Sequence, residues 1–437
     1  MYQNGDTIFA LASGLGTAGV AVIRVSGPKA KETLKYLTSI KKVEAGKVYF
    51  AALKDKKKLL DRALVLYFKA PHSFTGEDIV EYQVHGGRGV ISSVMQVLAK
   101  IDGLRPAERG EYSRRAVING KMDLTEAEGL LDLIHAETEE QRKQALAQME
   151  GNLGVLYEGW RKKLVHHLAY AEAFIDFPEE EIPSEKERAI DGDIKKLVKA
   201  IDTHLNDDRR GERLRDGYQI AIVGAPNVGK SSLINMLTKR EVAIVSQVAG
   251  TTRDIVEAHL DVAGFPVILA DTAGLRDSKE EIEAEGIRRA VKKAENADLI
   301  LFVQDAEKYP KTEKLPTSLS KKKVITIWNK IDLCKVKDNK TDFFISAKTG
   351  KGVSKLWDEI KSILTDSFAG GAAITRERYR VALQQCVEHL RDALRVQELE
   401  LKTEDLRLAA RALGRITGRI EVDELLDVIF KDFCIGK

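Results

Sequence analysis

The 437-residue chain is poor in cysteine and has no long apolar run. Its three cysteines, Cys334, Cys386 and Cys434, are widely separated and odd in number, which excludes a disulfide framework and a cysteine metal cluster. No apolar stretch approaches the length that spans a bilayer, and the N-terminus has neither a basic cap nor an apolar signal segment. We therefore expect a cytoplasmic protein that does not associate with membranes.

The chain also has no large excess of positive or negative residues. The formal net charge is +3 and the isoelectric point is near 8.4, so an RNA partner is permitted but not required. Hydrophobic residues make up 43% of the chain and charged residues 31%, as in ordinary soluble proteins. A chain of this length should fold into two to four domains.

One stretch carries the clearest chemistry. The apolar run 220–223 leads into the spacing Gly-x4-Gly-Lys-Ser at 224–231, and a helical pattern follows. Strand, glycine loop and helix together predict a phosphate-binding loop, whose backbone N–H groups surround an anion at a helix N-terminus. Lys230 would reach the outer phosphates and Ser231 the magnesium ion. A plain glycine turn is the alternative, which the flanking strand and helix disfavour.

Further GTPase motifs follow in order along the chain. Asp-Thr-Ala-Gly at 271–274 can hold magnesium through water and offer an N–H to the γ-phosphate. In Asn-Lys-Ile-Asp at 329–332, the Asp332 carboxylate can accept two hydrogen bonds from guanine, which adenine cannot donate, so GTP is favoured. Ser-Ala-Lys at 346–348 fits the loop behind the base, and Gly-Thr-Thr-Arg-Asp at 250–254 supplies a threonine to a switch loop.

The catalytic help to GTP hydrolysis must come from an unusual source. Ras-like GTPases place a water-orienting glutamine after Asp-x-x-Gly, but Leu275 stands there and cannot polarise water. Asn227 carries a side-chain oxygen beside the β–γ bridge, where a monovalent cation could neutralise developing charge. The alternative is that Asn227 only braces the loop.

The pattern of elements predicts the organisation of the chain. Residues 1 to about 120 indicate a small α/β domain with a helix from Pro28 to Ile40. Helical spacing dominates from 124 to about 215, including one charged helix from Ser184, and returns beyond 372 with a helix over 376–401. The last helices cannot bury their apolar faces alone, so we expect them to pack against 124–215 with the nucleotide domain inserted between.

The motifs also permit a comparison with known families. They read Gly-Ala-Pro-Asn-Val-Gly-Lys-Ser-Ser at 224–232, Ile-Val-Ser-Gln-Val-Ala-Gly-Thr-Thr-Arg-Asp at 244–254, Asp-Thr-Ala-Gly-Leu-Arg at 271–276 and Phe-Cys-Ile-Gly-Lys at 433–437. To these are added Asp-Thr-Ile-Phe-Ala at 6–10, Ile-Arg-Val-Ser-Gly-Pro at 23–28, His-Gly-Gly at 85–87 and Asn-Gly-Lys-Met-Asp-Leu at 119–124. The set resembles the MnmE (TrmE) family of tRNA-modification GTPases along essentially the whole chain.

The resemblance implies a multidomain α/β plus α fold. Its parts are an N-terminal α/β domain that binds tetrahydrofolate and dimerises, a discontinuous helical domain, and an inserted Ras-like P-loop G domain with a mixed, mostly parallel sheet. The implied boundaries are 1–120 for the folate domain, 121–215 and 368–437 for the two helical segments, and 216–367 for the G domain.

The resemblance also implies a reaction. With the flavoprotein MnmG (GidA), in a heterotetramer built on a homodimer, the family adds an aminomethyl or carboxymethylaminomethyl group to C5 of the wobble uridine in tRNA. The one-carbon unit comes from a folate, 5,10-methylene- or 5-formyl-tetrahydrofolate. GTP hydrolysis depends on K⁺ and Mg²⁺ and is activated when G domains dimerise.

The site residues implied by the resemblance fall on matching motif positions. Magnesium is expected on Ser231 and Thr252, and the catalytic residues are expected to be Glu283, which orients water, Asn227 and Lys230. Potassium is expected on Asn227, Ser246, Val248 and Thr251, and folate on Arg24, Glu81, Lys121 and Lys437. The GTP site is expected to comprise Asn227, Val228, Gly229, Lys230, Ser231, Ser232, Ser246, Gln247, Val248, Ala249, Gly250, Thr251, Thr252, Asp271, Thr272, Ala273, Gly274, Asn329, Lys330, Asp332, Ser346, Ala347 and Lys348.

Several alternatives stay open at this point. Glu283 lies among other glutamates that a solvated helix face would explain, and Arg24 with Glu81 could be a strand-end ion pair. Cys434 could be a nucleophile or could only position the tail. A regulatory GTPase switch of the Era or Der type, which binds ribosomal RNA or an assembly factor, is the competing function.

One basic pattern remains outside these motifs. Arg407, Arg411 and Arg415 are spaced i, i+4, i+8 and share one helix face, and Arg419 follows a Thr-Gly break. A solvated helix face and a stripe that contacts phosphates are both consistent with this spacing.

Overall fold

Two β-sheets organise the described part of the chain in the computed structural model. The residues that the structure describes are 5–14, 16–176, 184–240, 242–243, 257–271, 292–311, 313–334, 342–371, 373–419, 429–430 and 433–436. They form two units, one made of residues 1–131, 148–172 and 406–437, and one of residues 132–147 and 173–405.

The strands and helices are numbered in chain order. The strands are β1 (Thr7–Leu11), β2 (Ala21–Ser26), β3 (Val48–Asp55), β4 (Lys58–Phe68), β5 (Ile79–Val84), β6 (Leu104–Pro106), β7 (Tyr218–Val223), β8 (Val242–Ala243), β9 (Glu257–Val262), β10 (Phe265–Asp271), β11 (Leu299–Asp305), β12 (Lys323–Asn329) and β13 (Phe343–Phe344). The helices are α1 (Thr33–Leu37), α2 (Arg88–Leu98), α3 (Glu111–Ile118), α4 (Leu124–His135), α5 (Glu139–Met149), α6 (Asn152–Asp176), α7 (Ser184–Leu205), α8 (Arg210–Asp216), α9 (Lys230–Arg240), α10 (Val353–Phe368), α11 (Glu377–Ala393) and α12 (Leu399–Thr417).

The sheet of the first unit has the strand order β3-β4-β5-β2-β1-β6. All neighbours are antiparallel except β1 and β6. In β2 the side chains of Ala21, Ile23 and Val25 are buried, whereas Val22 and Arg24 between them are half-buried, so one face points to the core. Apolar side chains of α1 and α2 cover that face, which confirms the small α/β domain expected from the sequence.

A buried charge network fixes the N-terminal strand of this unit. Arg115 is 1% exposed, and its guanidinium binds the carboxylates of Asp6 at 2.7 Å, Glu111 at 2.9 Å and Glu77 at 3.0 Å. Burial would raise the pKa of the Glu111 carboxyl, but bonds from Arg105, the Glu108 N–H and Arg115 lower it below its usual value. This carboxylate therefore stabilises the fold above its unfolded-state pKa, and the contribution is lost as the pH falls through its folded-state pKa.

The last described residues, 433–436, pack within the first unit. Ile435 forms a backbone bridge with Arg109, and Cys434 next to it is a free, exposed thiol. Gly436 has a φ of +98°, and a Cβ there would collide with the carbonyl oxygen of Leu11. The chain before Lys437 is thus held against β1 and the start of α3.

The sheet of the second unit has the strand order β13-β12-β11-β7-β10-β9-β8. The four pairings from β13 to β10 are parallel, and the pairings of β9 with β10 and β8 are antiparallel. This is the mixed, mostly parallel sheet that the sequence predicts for a P-loop G domain. Apolar side chains of α9 and α10 pack on it in one core cluster.

Three helix boundaries differ from the sequence prediction. In place of the helix expected over 28–40, the structure has a short 3₁₀ helix followed by α1. The helix ends there because the backbone of Thr38 is extended. The helix expected from Ser184 to Arg215 breaks between α7 and α8, where Asp208 and Arg209 adopt left-handed φ values of 50° and 55°. The helix expected over 376–401 is likewise divided, since α11 ends at Ala393. Within the described ranges, none of the helices combines the length and apolarity needed to cross a membrane.

Arg115→Leu tests the buried charge network. The change leaves the carboxylates of Asp6 and Glu111 without their buried cation, so the free energy of local opening should fall by about 3–5 kcal/mol. Hydrogen exchange of the β1 and α3 amides measures this free energy without assuming two-state unfolding of the whole chain.

Lys47→Gln is the matched control for this prediction. Lys47 forms an ion pair with Glu44 in which both side chains are mostly exposed, so its loss should leave exchange of the same amides unchanged. Equal protection of β1 and α3 in the Arg115 variant and the wild type would contradict the assigned role.

Candidate nucleotide site

The phosphate loop connects the end of β7 to the start of α9. Its backbone turns at Asn227, with φ +62°, and at Gly229, with φ +93°. A Cβ on Gly229 would collide with the side-chain amide of Asn329, so only glycine fits this position. Ser231 and Ser232 are exposed in the first turn of the helix, where the N–H groups of a helix favour an anion.

Lys230 spans the inner side of this loop. Its side chain is buried, with 8% exposure, and its Nζ donates hydrogen bonds to the carbonyl oxygens of Gly224 at 2.8 Å and Ala225 at 2.7 Å. The ammonium group therefore lies within the loop that would enclose the phosphates. The predicted contact of Lys230 with the outer phosphates stays a prediction.

Asn329, at the end of β12, joins the phosphate loop to the loop after β13. Its Nδ2 donates to the carbonyl oxygen of Val228 at 2.8 Å, and its Oδ1 accepts from the N–H of Ala347 at 2.9 Å. The side chain is 2% exposed, so both bonds are shielded from water. Three segments that are distant in sequence are held together by one amide.

Asp332 and Ser346, which the sequence predicts for the base side of the site, are in direct contact. Ser346 donates from its Oγ to Asp332 Oδ1 at 2.6 Å, and the N–H of Thr349 donates to the same Oγ at 3.1 Å. The bond from Ser346 lowers the pKa of the Asp332 carboxyl, although the carboxylate is exposed. Asp332 is thus ionised and oriented at neutral pH, and its contact with guanine stays a prediction. Lys348 is exposed beside it.

A further polar residue of the site, Asp305, is missing from the sequence prediction. It ends β11 opposite Asn329 in the parallel register, and its Oδ2 lies 2.7 Å from Nζ of Lys330. Burial would raise the pKa of Asp305, but the bond from Lys330 and the N–H of Glu307 lower it. Lys330 itself has a φ of +72°, an unusual backbone for lysine. The signal in the sequence is an aspartate at the end of a strand that pairs with the Asn-Lys-x-Asp strand.

For the other predicted nucleotide-site residues, the structure describes only the backbone of Asp271 or does not describe the residue. The backbone of Asp271 ends β10 and is paired with Ile222 of β7, which places it at the same sheet edge as the phosphate loop. Nothing is described of its side chain. The other predicted residues outside the described ranges are Ser246, Gln247, Val248, Ala249, Gly250, Thr251, Thr252, Thr272, Ala273, Gly274 and Glu283.

Comparison with known proteins decides the family. The model described as "MnmE helical domain" matches residues 124–434, and that described as "GTP-binding protein TrmE N-terminus" matches residues 7–121. The chain belongs to the MnmE family. It is a GTPase, as its relatives named tRNA modification GTPase MnmE, which match almost the whole chain, show.

The relatives cover the whole chain. A protein of Rhodospirillum rubrum named tRNA modification GTPase MnmE is 49% identical over 99% of this chain and 99% of its own length. One of Paramagnetospirillum magneticum with the same name is 49% identical over 99% of this chain and 100% of its own length. The mitochondrial 5-taurinomethyluridine-[tRNA] synthase subunit GTPB3 of Danio rerio is 44% identical over 100% of this chain and 94% of its own length.

Two of the four predicted folate residues of this MnmE-family chain, Arg24 and Glu81, lie on the first sheet. Arg24 of β2 and Glu81 of β5 are direct cross-strand partners, and their side chains form an ion pair at 2.8 Å. The guanidinium also lies over the rings of Phe74 at 5.4 Å and Tyr112 at 5.6 Å. An ion pair, one of the two alternatives that the sequence left open, is therefore present, but in mid-strand rather than at a strand end, and two aromatic rings adjoin it.

Lys121 forms its described hydrogen bond with a residue other than Arg24 or Glu81. Its Nζ donates to the carbonyl oxygen of Pro71 at 2.9 Å. Lys437, the remaining folate prediction, is outside the described residues, but Gly436 before it lies against Leu11. The geometry brings Arg24 and Glu81 together and leaves the folate role of all four residues a prediction.

Asp305→Asn tests the role of Asp305, which the sequence did not predict, in this MnmE-family site. Without the carboxylate, Lys330 loses the partner that fixes its ammonium group, so GDP should dissociate about tenfold faster, in line with one charged hydrogen bond. The turnover number at saturating GTP should stay within about twofold, because Asp305 does not touch the reacting phosphates. Stopped-flow release of a fluorescent GDP analogue and steady-state turnover give the two numbers.

Glu313→Gln provides the comparison for the same loop. Glu313 pairs with Lys308 at 3.2 Å on the surface and has no bond to Lys330 among the described contacts, so it should release GDP at the wild-type rate. If Asp305→Asn lowers the turnover number and does not speed GDP release, the assigned role of Asp305 in nucleotide binding through Lys330 is contradicted.

Proposed function

We propose that this chain is the GTP-hydrolysing component of a tRNA-modification enzyme. Together with the flavoprotein MnmG (GidA), it adds an aminomethyl or carboxymethylaminomethyl group to C5 of the wobble uridine in tRNA. The observation that carries this proposal is the match along 99% of the chain to proteins named tRNA modification GTPase MnmE. The name of the Danio rerio relative, a 5-taurinomethyluridine-[tRNA] synthase subunit, supports uridine as the target.

The phosphate loop supports the proposed handling of GTP. Ser231, in the first turn of α9, and Thr252 would hold Mg²⁺, which neutralises charge on the transferred phosphate. Lys230 is already positioned within the loop by two backbone carbonyls and would exchange them for phosphate oxygens. Asp332 and Ser346 would select guanine, since guanine offers the oriented carboxylate two adjacent N–H donors and adenine does not.

The exposed position of Asn227 in the phosphate loop supports its proposed role as a potassium ligand. The residue is exposed at the outer turn of the phosphate loop, where its side-chain oxygen is available as a hard ligand. Ser246, Val248 and Thr251 would complete the ligand set, and K⁺ would supply the positive charge that an arginine finger supplies elsewhere. Glu283 would orient the attacking water in place of the glutamine that Leu275 replaces.

The first sheet supports the proposed folate site. Glu81 presents a carboxylate that can accept N–H bonds from a pterin ring, and the rings of Phe74 and Tyr112 lie beside its partner Arg24. Folate supplies the one-carbon unit, as 5,10-methylene- or 5-formyl-tetrahydrofolate. Lys121 and Lys437 would complete the site, and the packing of Gly436 on Leu11 directs the tail toward this domain.

The proposal includes the assembly and the compartment. The chain works as a cytoplasmic homodimer that forms a heterotetramer with MnmG, and paired G domains activate each other. The four-part domain division, 1–120, 121–215, 216–367 and 368–437, belongs to the same proposal. It stays a prediction, since the two units of the structure group these segments differently.

Loss of the chain should remove the wobble-uridine modification. Mass spectrometry of tRNA nucleosides from cells that lack the gene should show unmodified uridine at C5, and the wild-type gene should restore the modified nucleoside. A copy with Lys230→Ala should fail to restore it, because the phosphate loop loses its cation. Full modification in the deleted strain would refute the proposed function.

Potassium should activate GTP turnover in the purified protein. We expect at least tenfold faster hydrolysis in KCl than in NaCl of equal ionic strength, an effect within the range of a charge placed at the transition state. Asn227→Ala should remove most of the difference while it leaves GDP affinity nearly unchanged. Turnover that is the same in both salts would refute the potassium site and leave the family assignment intact.

A further inference from the structure

The positive charge of this MnmE-family chain is concentrated in one short segment. Residues 29–58 contain ten lysines, no arginine and three carboxylates, a net charge of +7. The other 407 residues together carry a net charge of −4, so the weakly basic total of +3 is due to this segment. A polyanion that approaches the protein would be attracted to these residues.

Most of these lysines have no carboxylate partner. Lys47 pairs with Glu44, and Asp55 pairs with Lys100 of the loop after α2 at 3.7 Å. The third carboxylate, Glu32, is exposed and forms no ion pair among the described contacts. Seven exposed lysines have no ion pair or side-chain hydrogen bond within the described part of the chain: Lys35, Lys41, Lys42, Lys54, Lys56, Lys57 and Lys58.

Four of these lysines stand at the tip of a two-stranded arm. β3 pairs with β4 along its whole length, whereas β5 pairs with β4 only from Leu64 to Phe68. The part of the hairpin beyond Leu64 therefore has no third strand beside it. We call residues 54–59 the lysine tip of this arm, which carries Lys54, Lys56, Lys57 and Lys58.

The arm is anchored behind its tip. Ala51, Leu53 and Ala63 are buried in the core of the first sheet. The backbone N–H and the Nδ1 of His85 donate to the carboxylate of Asp61 at 2.8 and 2.7 Å, which joins β4 to the end of β5. The exposed lysines of the tip are thus presented on a fixed base.

The turn of the arm is unfavourable for lysine. Lys56 has a φ of +54°, in the left-handed region where glycine and asparagine are favoured. A turn selected for stability alone would carry one of those residues here. The positive charge is therefore kept at a position where it costs backbone strain.

Protection of the sheet edge does not explain the tip either. Lysines on an edge strand can prevent it from pairing with another chain. The exposed side chains in the first half of the edge strand β3 are apolar, however, with Val48 58% exposed and Phe50 69% exposed. The lysines follow at the turn, where there is little edge left to protect.

The chemistry of the tip suits phosphate. The ammonium group of lysine is a compact charge on a flexible stem, so it can reach phosphate oxygens from several directions. Four such groups within five residues can contact neighbouring phosphates of one strand. The centres of protein interfaces are depleted of lysine, which disfavours a protein partner. Leu59, which is 51% exposed beside the lysines, can pack against a ribose.

We propose that the lysine tip binds the phosphate backbone of a structured RNA, the tRNA substrate of the proposed function on which this inference rests. Contacts of this kind fix the position of an RNA and carry no sequence information. The tip therefore positions the tRNA, and the choice of nucleotide is made elsewhere.

Charge reversal at the tip tests this proposal. The full-length protein with Lys54→Glu and Lys57→Glu should bind an unmodified tRNA transcript at least tenfold more weakly than the wild type at 100 mM salt. The slope of log affinity against log salt should be shallower by about 2. Neither lysine stands opposite a carboxylate in the strand register, so thermal unfolding should be unchanged. GTP turnover without RNA should also be unchanged, since neither residue belongs to the nucleotide site.

A second variant removes charge without a risk to folding. Asparagine adopts the left-handed conformation more readily than lysine, so Lys56→Asn should not lower the thermal stability of the protein. Its affinity for the transcript should nevertheless fall, with a salt slope shallower by about 1. Wild-type affinity in this variant would contradict the reason given for a lysine at this turn.

Matched variants separate the tip from general charge effects. Lys41→Glu with Lys42→Glu makes the same charge change at two exposed lysines of the same segment, in the loop that enters β3 at the end opposite the tip. This variant should stay within about twofold of wild-type affinity. Lys54→Arg with Lys57→Arg keeps the charge and should keep both the affinity and the salt slope.

Several outcomes would overturn the proposal. They are wild-type affinity and slope in Lys54→Glu with Lys57→Glu, an equal loss in the Lys41 and Lys42 control, and no binding of the transcript by the wild type at 50 mM salt. Polyglutamate that binds the wild type as tightly as the transcript does, and loses this affinity in the reversal variant, would indicate an acidic protein partner instead.

The nucleoside assay distinguishes failure of the tip from failure of the proposed function. Cells whose only copy carries Lys54→Glu with Lys57→Glu should show reduced wobble modification. Intact modification in these cells, together with its loss in cells that lack the gene, would overturn the tip and leave the proposed function standing.

Discussion

The amide of Asn329 is the interaction on which the nucleotide site depends. It donates to the carbonyl of Val228 and accepts from the N–H of Ala347, so the phosphate loop and the base-side loop share one rigid connection. A buried amide bonded at both ends is costly to move, because each lost bond would leave an unsatisfied polar group away from water. The distance between the phosphate and base ends of the site is therefore set by a side chain of fixed length.

The parallel sheet makes this connection possible. Strands β7, β10, β11 and β12 end at the same edge, and each end carries part of the site: the phosphate loop, Asp271, Asp305 and Asn329. The first sheet works differently, since the antiparallel neighbours β2 and β5 place Arg24 opposite Glu81 in mid-strand. One unit thus gathers polar groups at strand ends, and the other pairs them across strands.

The sequence predicts the local chemistry of the site better than its supporting contacts. The phosphate loop and Asp332 follow from spacing, because each motif is continuous and lies between apolar runs. Asp305 and the buried Arg115 do not, since their importance depends on strand register and on partners up to 109 residues away. The break between α7 and α8 also has no glycine or proline signal in the sequence, because non-glycine residues, Asp208 and Arg209, adopt the left-handed conformation there. Ser246, Thr252 and Glu283 lie outside the described residues, so their positions stay predictions.

The contact between Gly229 and Asn329 has an evolutionary consequence. A side chain at residue 229 needs the space that the Asn329 amide fills, and a shorter residue at 329 would give up both of its bonds. Each change is harmful alone, and a smaller residue at 329 would not rescue a side chain at 229, because the φ of +93° strains every residue other than glycine there. Neither position therefore has a neutral single substitution, and glycine at 229 should persist even where residue 329 changes.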